Sequence, residues 1–408
     1  MVRRAHRWSS CWLAALLTLT ASIAAAAPRI GVMTMQPGEA FFERFGHNAI
    51  VVADPDTGAA TSYNYGFFDP AESDFVVRFI RGEMMYYLVA LPLEDDLVQY
   101  RMEGRGADLQ WLDLRPEQAQ RMADLLAEQA RPENARYRYD YFDSNCATQV
   151  RDALDKALNG TLRPQLQSQA RGNTYRSEAV RLARPVPWMW VVFDLGLGPK
   201  ADESLNGWSD AFIPMRLADS LAKAKNSDGR PLVQERQSIL RHRLAPEPVE
   251  QAREWWPWLL AGAGIGLAIV VVGRFAPRAV AALAIPFWLL CALLGALLLF
   301  LWGFTGHWAA WGNRNALLLN PLCLLLIPLG WRVLCGCQPQ PLLQRLLWLI
   351  AILAALAPLT HWLSEQPQHD LNWIALLPPI HLALAWRFTR LRFPSYPRPS
   401  RARARMRP

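Results

Sequence analysis

The sequence predicts two parts of different fold class: an α+β domain over about residues 28–250, then an all-α domain of about five transmembrane helices over 251–386. Three observations carry this. Apolar, β-branched stretches bounded by turn residues occur before residue 100, and amphipathic helical spacing follows within 114–134 and at 146–158. The long uncharged apolar runs all begin after Trp255.

Residues 1–27 combine Arg3, Arg4 and Arg7, the apolar run Cys11–Leu19 and a small-residue end with Ala24 and Ala26, the pattern of a secretory signal peptide. Cleaved or kept as an anchor, it exports the chain from residue 28 onward. No cysteine stands where lipid attachment would need one. HNAIVVAD, the turn residues DPDTG and then TSYNYGFF predict a β-hairpin, with His47 at the start of its first strand and Asn64 near the middle of the second. Residues 75–91 read as a helix or strand followed by a strand. LRPEQAQRMADLLAEQARPEN reads as an amphipathic helix, with Pro116 near its start and Ala119, Met122, Leu125 and Leu126 on one face. AFIPMRLADSLAKA predicts another helix, and Trp188, Met189 and Trp190 suit either a membrane interface or a domain core.

The segment YDYFDSNCATQVRDALDKAL is the most informative. Ala147, Val150, Leu154, Ala157 and Leu158 have helical spacing, and Asn145 is a good N-cap, so Cys146 falls in the first turn. There the helix dipole and free N–H groups favour an anion, and a thiol ionises more easily. A small core cysteine would also suit that position. Of the six cysteines, Cys146 alone lies in the exported soluble part, so no disulfide partner exists for it within that part. Only two histidines fall there, and His242 lies in a charged linker, leaving His47 as the imidazole for a thiol. A Cys–His pair suits attack on an acyl carbon. One cysteine and one histidine fall short of a metal ligand set, and no cofactor is implied.

The net charge of +8 does not point to nucleic acid. Eleven of the 43 basic residues lie in the two ends, three before residue 8 and eight between Arg387 and Arg407, leaving 32 basic against 35 acidic between them. Terminal basicity reads as membrane orientation, with 387–408 a basic cytoplasmic tail. Apolar runs at 257–273, 279–304, 315–331, 346–363 and 371–386 are each about long enough to span. With the first domain outside, Arg274, Arg278, Arg332, Arg345 and the tail fall on the cytoplasmic side. Asn315 and Asn372 each stand six residues before a proline in a Leu-rich run, suggesting a duplicated hairpin. Polar groups at that depth favour function, so His307, Asn313, Asn315 and Asn372 are candidate substrate contacts, as is Asn145 beside the thiol; capping of two helices is the plainer role. Cys335 and Cys337 read as bystander thiols.

ERFGHNAI, YNYGFFD and YDYFDSNC followed by a helix together resemble the periplasmic domain of the Lnb-type bacterial lipoprotein N-acyltransferases. The resemblance extends to DLGLGPKAD, AFIP and the membrane part. It implies a permuted papain-like fold of the NlpC type, with Cys146 as nucleophile and His47 as base. The third polar residue is not marked by a motif; Asn64 is offered for it, with Tyr63 as rival. The implied reaction moves an acyl chain from a phospholipid, through a thioester, to the N-terminal amine of diacylglyceryl-cysteine lipoproteins at the inner membrane. The competing expectation is a membrane-anchored peptidoglycan endopeptidase or amidase, which would need one anchor helix.

Overall fold

The computed structural model describes residues 26–363, 365 and 367–392; most of the signal pattern and the tail beyond residue 392 lie outside them. The chain forms two compact units. The first takes in residues up to Phe79, Glu83–Asn173 and Leu205–Glu247, and the second Ile80–Gly82, Thr174–Ser204 and the chain from Pro248 onward. The division is therefore not a single cut near residue 250. Residues 174–204 leave the first unit, and the exit and return points touch: the Leu205 N–H donates to the Asn173 carbonyl at 2.8 Å.

In chain order the first unit contains β1 (Arg29–Met35), β2 (His47–Ala53), β3 (Ala60–Phe67), all but the last two residues of α1 (Phe75–Arg81), β4 (Met85–Pro92), α2 (Leu93–Glu103), β5 (Ala107–Leu112), α3 (Pro116–Gln129), β6 (Arg136–Arg138), α4 (Cys146–Ala157) and β7 (Val233–Leu240), with a short helix at Pro214–Leu221. The strands form one antiparallel sheet in the order β6-β4-β3-β2-β1-β5-β7. The expected hairpin is β2–β3, and its DPDTG turn is closed by the Asp54 carboxylate, which accepts from the Asp56 N–H and the Thr57 hydroxyl, both at 2.8 Å.

Both faces of the sheet are covered, which is why β1 is apolar along its length rather than alternating. Ile30, Val32, Ile50, Tyr65 and Leu88 face a core with Met122 and Leu126 of α3 and Val150 and Leu154 of α4. Met33, Met35, Ala49, Val51 and Leu109 face the other way, with Leu97 of α2. The predicted apolar stripes of α3 and α4 are thus what seats them on the sheet; cutting the fully buried Leu154 back to Ala would cost about 2–5 kcal/mol.

The second unit contains α5 (Tyr175–Ala183), α6 (Pro187–Gly196), α7 (Trp256–Phe275), α8 (Pro277–Phe304), α9 (Ile327–Leu334), α10 (Pro341–Leu356) and α11 (Leu371–Thr389). Among the described residues three stretches are long and apolar enough to cross a membrane: α7, α8 and Arg314–Leu334. The last is not one α-helix, because Pro321 opens a 3-10 helix at Pro321–Leu326 ahead of α9. The run expected over 346–363 is likewise divided: α10 stops at Leu356, and a short helix at Leu359–Leu363 begins after Pro358, which has no N–H to continue the ladder. The two Asn-to-Pro copies fold differently, since Pro321 starts a helix whereas Pro378 and Pro379 sit inside α11.

Residues 174–204 belong to this unit through a buried polar cluster. Arg176, fully buried, pairs with Asp202 (Nε to Oδ1, 2.8 Å) and donates to the carbonyls of Asp194 and Leu197. The Asp194 carboxylate accepts from Arg253, from Asn372 Nδ2 at 2.8 Å and from Trp373 Nε1 at 2.8 Å. Removing one member of such a buried set leaves an uncompensated charge, a loss of about 3–5 kcal/mol.

Candidate active site

The thiol is placed by the start of α4. Asn145 Oδ1 accepts from the Thr148 N–H at 3.0 Å, and the Thr148 hydroxyl closes the capping box by accepting from the Asn145 N–H at 2.7 Å. Cys146 is therefore the first helical residue, partly buried and unpaired. Its sulfur accepts from the backbone N–H groups of Ala147 and Asn48, so the helix start and the start of β2 both favour a negative sulfur.

The imidazole comes from the first residue of β2. Gly46 precedes it at φ +74°, where a Cβ would stand 2.8 Å from both the Met35 carbonyl oxygen and the Met215 sulfur. Only glycine lets the chain enter the sheet here with His47 opposite Met35. His47 hydrogen-bonds Cys146 through its side chain, and its Nε2 lies 3.0 Å from Asn64 Oδ1.

The polar groups behind the ring fix its tautomer. Asn64 Nδ2 donates to Asp96 Oδ2 at 3.0 Å and to Ser62 Oγ at 2.9 Å, and the Ser62 hydroxyl donates to the same Asp96 oxygen at 2.6 Å. A carboxylate only accepts, so it takes the NH2 end of Asn64 and turns the carbonyl end toward His47. Nε2 must then carry the hydrogen, which leaves Nδ1 as the basic nitrogen for the thiol proton. Ser62, Asn64 and Asp96 are all buried, so water does not blur this polarity.

Electrostatics run the same way. Burial alone would push the Cys146 thiol up, but the His47 charge and hydrogen bond, helped by the N–H groups of Asn48 and Ala147, hold its pKa below the ordinary thiol value. Burial likewise works to lower His47, yet the adjacent sulfur and its hydrogen bond, then Asn64, then Asp96, raise it above the ordinary imidazole value. The two shifts together favour a thiolate–imidazolium pair.

The other sequence candidates divide. Tyr63 lies on the opposite face of β3 from Asn64, packed against the α3–α4 core, and among the described residues no hydrogen bond joins it to His47. Strand alternation therefore favours Asn64 for the third position. Asn145 is not poised for substrate, since its amide is spent on structure: Oδ1 caps α4, and Nδ2 donates to the carbonyls of Tyr141 and Phe212, both at 2.9 Å. Asn313, Asn315 and Asn372 are in the second unit and are likewise engaged there. Asn313 Nδ2 donates to the carbonyls of Leu195 (2.7 Å) and Leu197 (3.0 Å), Asn315 Nδ2 to Leu195 (3.1 Å) and Asn372 Nδ2 to Asp194. Through these bonds they anchor the end of α6. His307 stands just before the turn Trp308–Ala310 in the same unit.

Sequence reading missed Ser62, Asp96 and Asn48. Asp96 sits in the acidic first turn of α2, LEDD, which looks like ordinary helix-dipole chemistry on a solvent face. Asn48 is buried beside the Cys146–His47 pair, with Nδ2 donating to Thr34 Oγ1 at 2.8 Å, which pins the start of β2.

Residues 16–181 match the family model of the Lnb N-terminal periplasmic domain, a stretch that includes His47, Asn64, Asp96 and Cys146. No curated protein and no solved structure matches the chain.

Proposed function

We propose, from the premise that the N-terminal part of this chain belongs to the Lnb periplasmic-domain family, that the protein is a lipoprotein N-acyltransferase of the bacterial inner membrane. The observation that carries this reading is the Cys146–His47–Asn64 array with its polarity set from Asp96. The Cys146 thiolate adds to an ester carbonyl of a phospholipid. The adduct collapses with a proton passing from His47 to the departing lysophospholipid, and a thioester remains. The amine of a diacylglyceryl-cysteine lipoprotein then adds to the thioester, His47 takes its proton, and the thiolate leaves with the acyl chain moved to nitrogen. The backbone N–H of Cys146, with no carbonyl four residues back in its own helix, is available to the oxyanion.

A lipid substrate is supported by the apolar surface of the first unit. Phe41 and Phe42 precede Gly46 and His47 and are each 57% exposed, while Phe67 and Phe68 directly follow Gly66, whose Cβ position is 3.7 Å from that of Cys146. No residue of α1 is buried, although five of its seven residues are apolar. The membrane-length stretches support a site at the bilayer, and a five-span arrangement with the first domain outside agrees with the arginines at the cytoplasmic loops.

The test is expression in a strain depleted of its own N-acyltransferase, with mass spectrometry of a lipoprotein N-terminus. The wild-type protein adds one acyl group to the amine and Cys146→Ser adds none. An unmodified amine with wild type would remove the proposal, and release of muropeptides without lipid would establish the peptidoglycan hydrolase instead.

A further inference from the structure

The oxyanion needs more than the one backbone donor offered by α4, and the surroundings of Gly66 supply a second. Gly66 sits at a bulge where the β3–β4 register slips between Tyr65 and Phe67, with φ +103°, a conformation that disfavours every side chain. Because it has no Cβ, a gap remains beside the thiol: a Cβ there would stand 3.7 Å from Cys146 Cβ, 3.8 Å from the Tyr139 ring and 4.0 Å from the Tyr137 hydroxyl. That hydroxyl is shut off from solvent and has no hydrogen-bond partner among the described residues. Leaving a buried O–H unpaired costs about 1–3 kcal/mol, and a phenylalanine would avoid the cost with the same ring packing. Such groups persist where a ligand completes them.

We propose that the Tyr137 hydroxyl is the side-chain donor to the oxyanion of the tetrahedral adduct at Cys146. This rests on the acyl-transfer reading above and adds to it a residue that touches the reacting oxygen. As the sulfur lone pair forms the C–S bond, the carbonyl π pair moves onto oxygen, and Tyr137 donates a hydrogen bond to it without giving up its proton. When the adduct collapses the C=O bond re-forms, the ester C–O bond breaks, and the proton on the leaving oxygen comes from His47. Tyr137 stays a donor throughout, since burial and the neighbouring sulfur hold its pKa well above the ordinary phenol value. Its ring is fixed for the task by β6 pairing with Tyr86 and by edge contact with Tyr65, whose own hydroxyl is tied to Gln129 at 2.6 Å.

The experiment compares two reactions of the same sulfur in the full-length protein in detergent. Acylation by p-nitrophenyl butyrate, read as the nitrophenolate burst, passes through an oxyanion; alkylation by iodoacetamide does not. Tyr137→Phe is expected to slow the burst about 10²–10³-fold, the usual effect of losing one oxyanion donor, with the alkylation rate and its pH profile within twofold of wild type. Its melting temperature should be equal or higher, because an unpaired buried group has been removed. An unchanged burst overturns the assignment. So does a parallel fall of burst and alkylation, which would make Tyr137 a tuner of the thiolate, or a burst lost together with melting temperature, which would make it structural. A wild-type protein that alkylates but shows no burst would instead remove acyl transfer itself, and this inference with it.

Discussion

Asp96 touches neither the thiol nor the imidazole, yet the geometry makes it decide which nitrogen of His47 is basic. Asp96→Asn keeps shape and volume and removes only the charge. Two donors converge on Oδ2, Ser62 Oγ at 2.6 Å and Asn64 Nδ2 at 3.0 Å. Hydrogen bonds to a charged acceptor contribute about 1 kcal/mol more than neutral ones, so about 2 kcal/mol of preference for the working Asn64 orientation disappears. The new amide can also present its own NH2 group to Asn64 Oδ1, which turns the Asn64 NH2 toward His47 Nε2 and puts the ring hydrogen on Nδ1, facing the sulfur. The expected result is a fall of about 30-fold in thioester formation, the rate equivalent of about 2 kcal/mol. Stopped-flow acylation in the full-length protein measures it, and a circular-dichroism melt checks that the fold survives. An Asp96→Asn protein that acylates within twofold of wild type would refute the tautomer argument.

The pH dependence of the thiol follows from the paired shifts of Cys146 and His47. In wild type, iodoacetamide alkylation should stay fast below about pH 8.5, the ordinary thiol value, and decline only as pH falls through the depressed pKa of Cys146. In His47→Ala the charge and hydrogen bond that outweigh burial are gone, so the profile moves to higher pH and the rate near neutrality drops about tenfold per unit moved; overlapping profiles would separate the two residues. Asn145→Ala loses the cap and both Nδ2 bonds, and should cost about 2–3 kcal/mol in denaturant unfolding while KM is unchanged. A stable Asn145→Ala with a raised KM would return that residue to the substrate.

What was legible in the sequence was local. Asn145 as cap and Cys146 as first helical residue follow from one turn of chain, and the β2–β3 hairpin from two strands and a turn. The choice between Asn64 and Tyr63 was not legible, because alternation says that neighbours face opposite ways without saying which face holds His47. Asp96 was hidden for a different reason: its burial depends on α2 lying across the sheet face that carries Ser62 and Asn64, and nothing in LEDD encodes that. The strands β1 and β5 do not announce themselves in the sequence, since a strand covered on both faces does not alternate. The partners of the asparagines of the second unit were not legible, because the carbonyls of Leu195 and Leu197 and the carboxylate of Asp194 come from a segment more than a hundred residues earlier.

The adjacency of Asn173 and Leu205 bears on how this protein can be dissected. A fragment truncated at residue 250 would keep Arg176, Asp194 and Asp202 but lose Arg253, Asn372 and Trp373, stranding a desolvated carboxylate and inviting aggregation. Excising 174–204 and splicing Asn173 to Leu205 through a short glycine linker asks the backbone to bridge a gap already closed by one hydrogen bond of 2.8 Å. The chain thus carries, written into its own path, the seam along which the sheet-bearing unit parts from the rest.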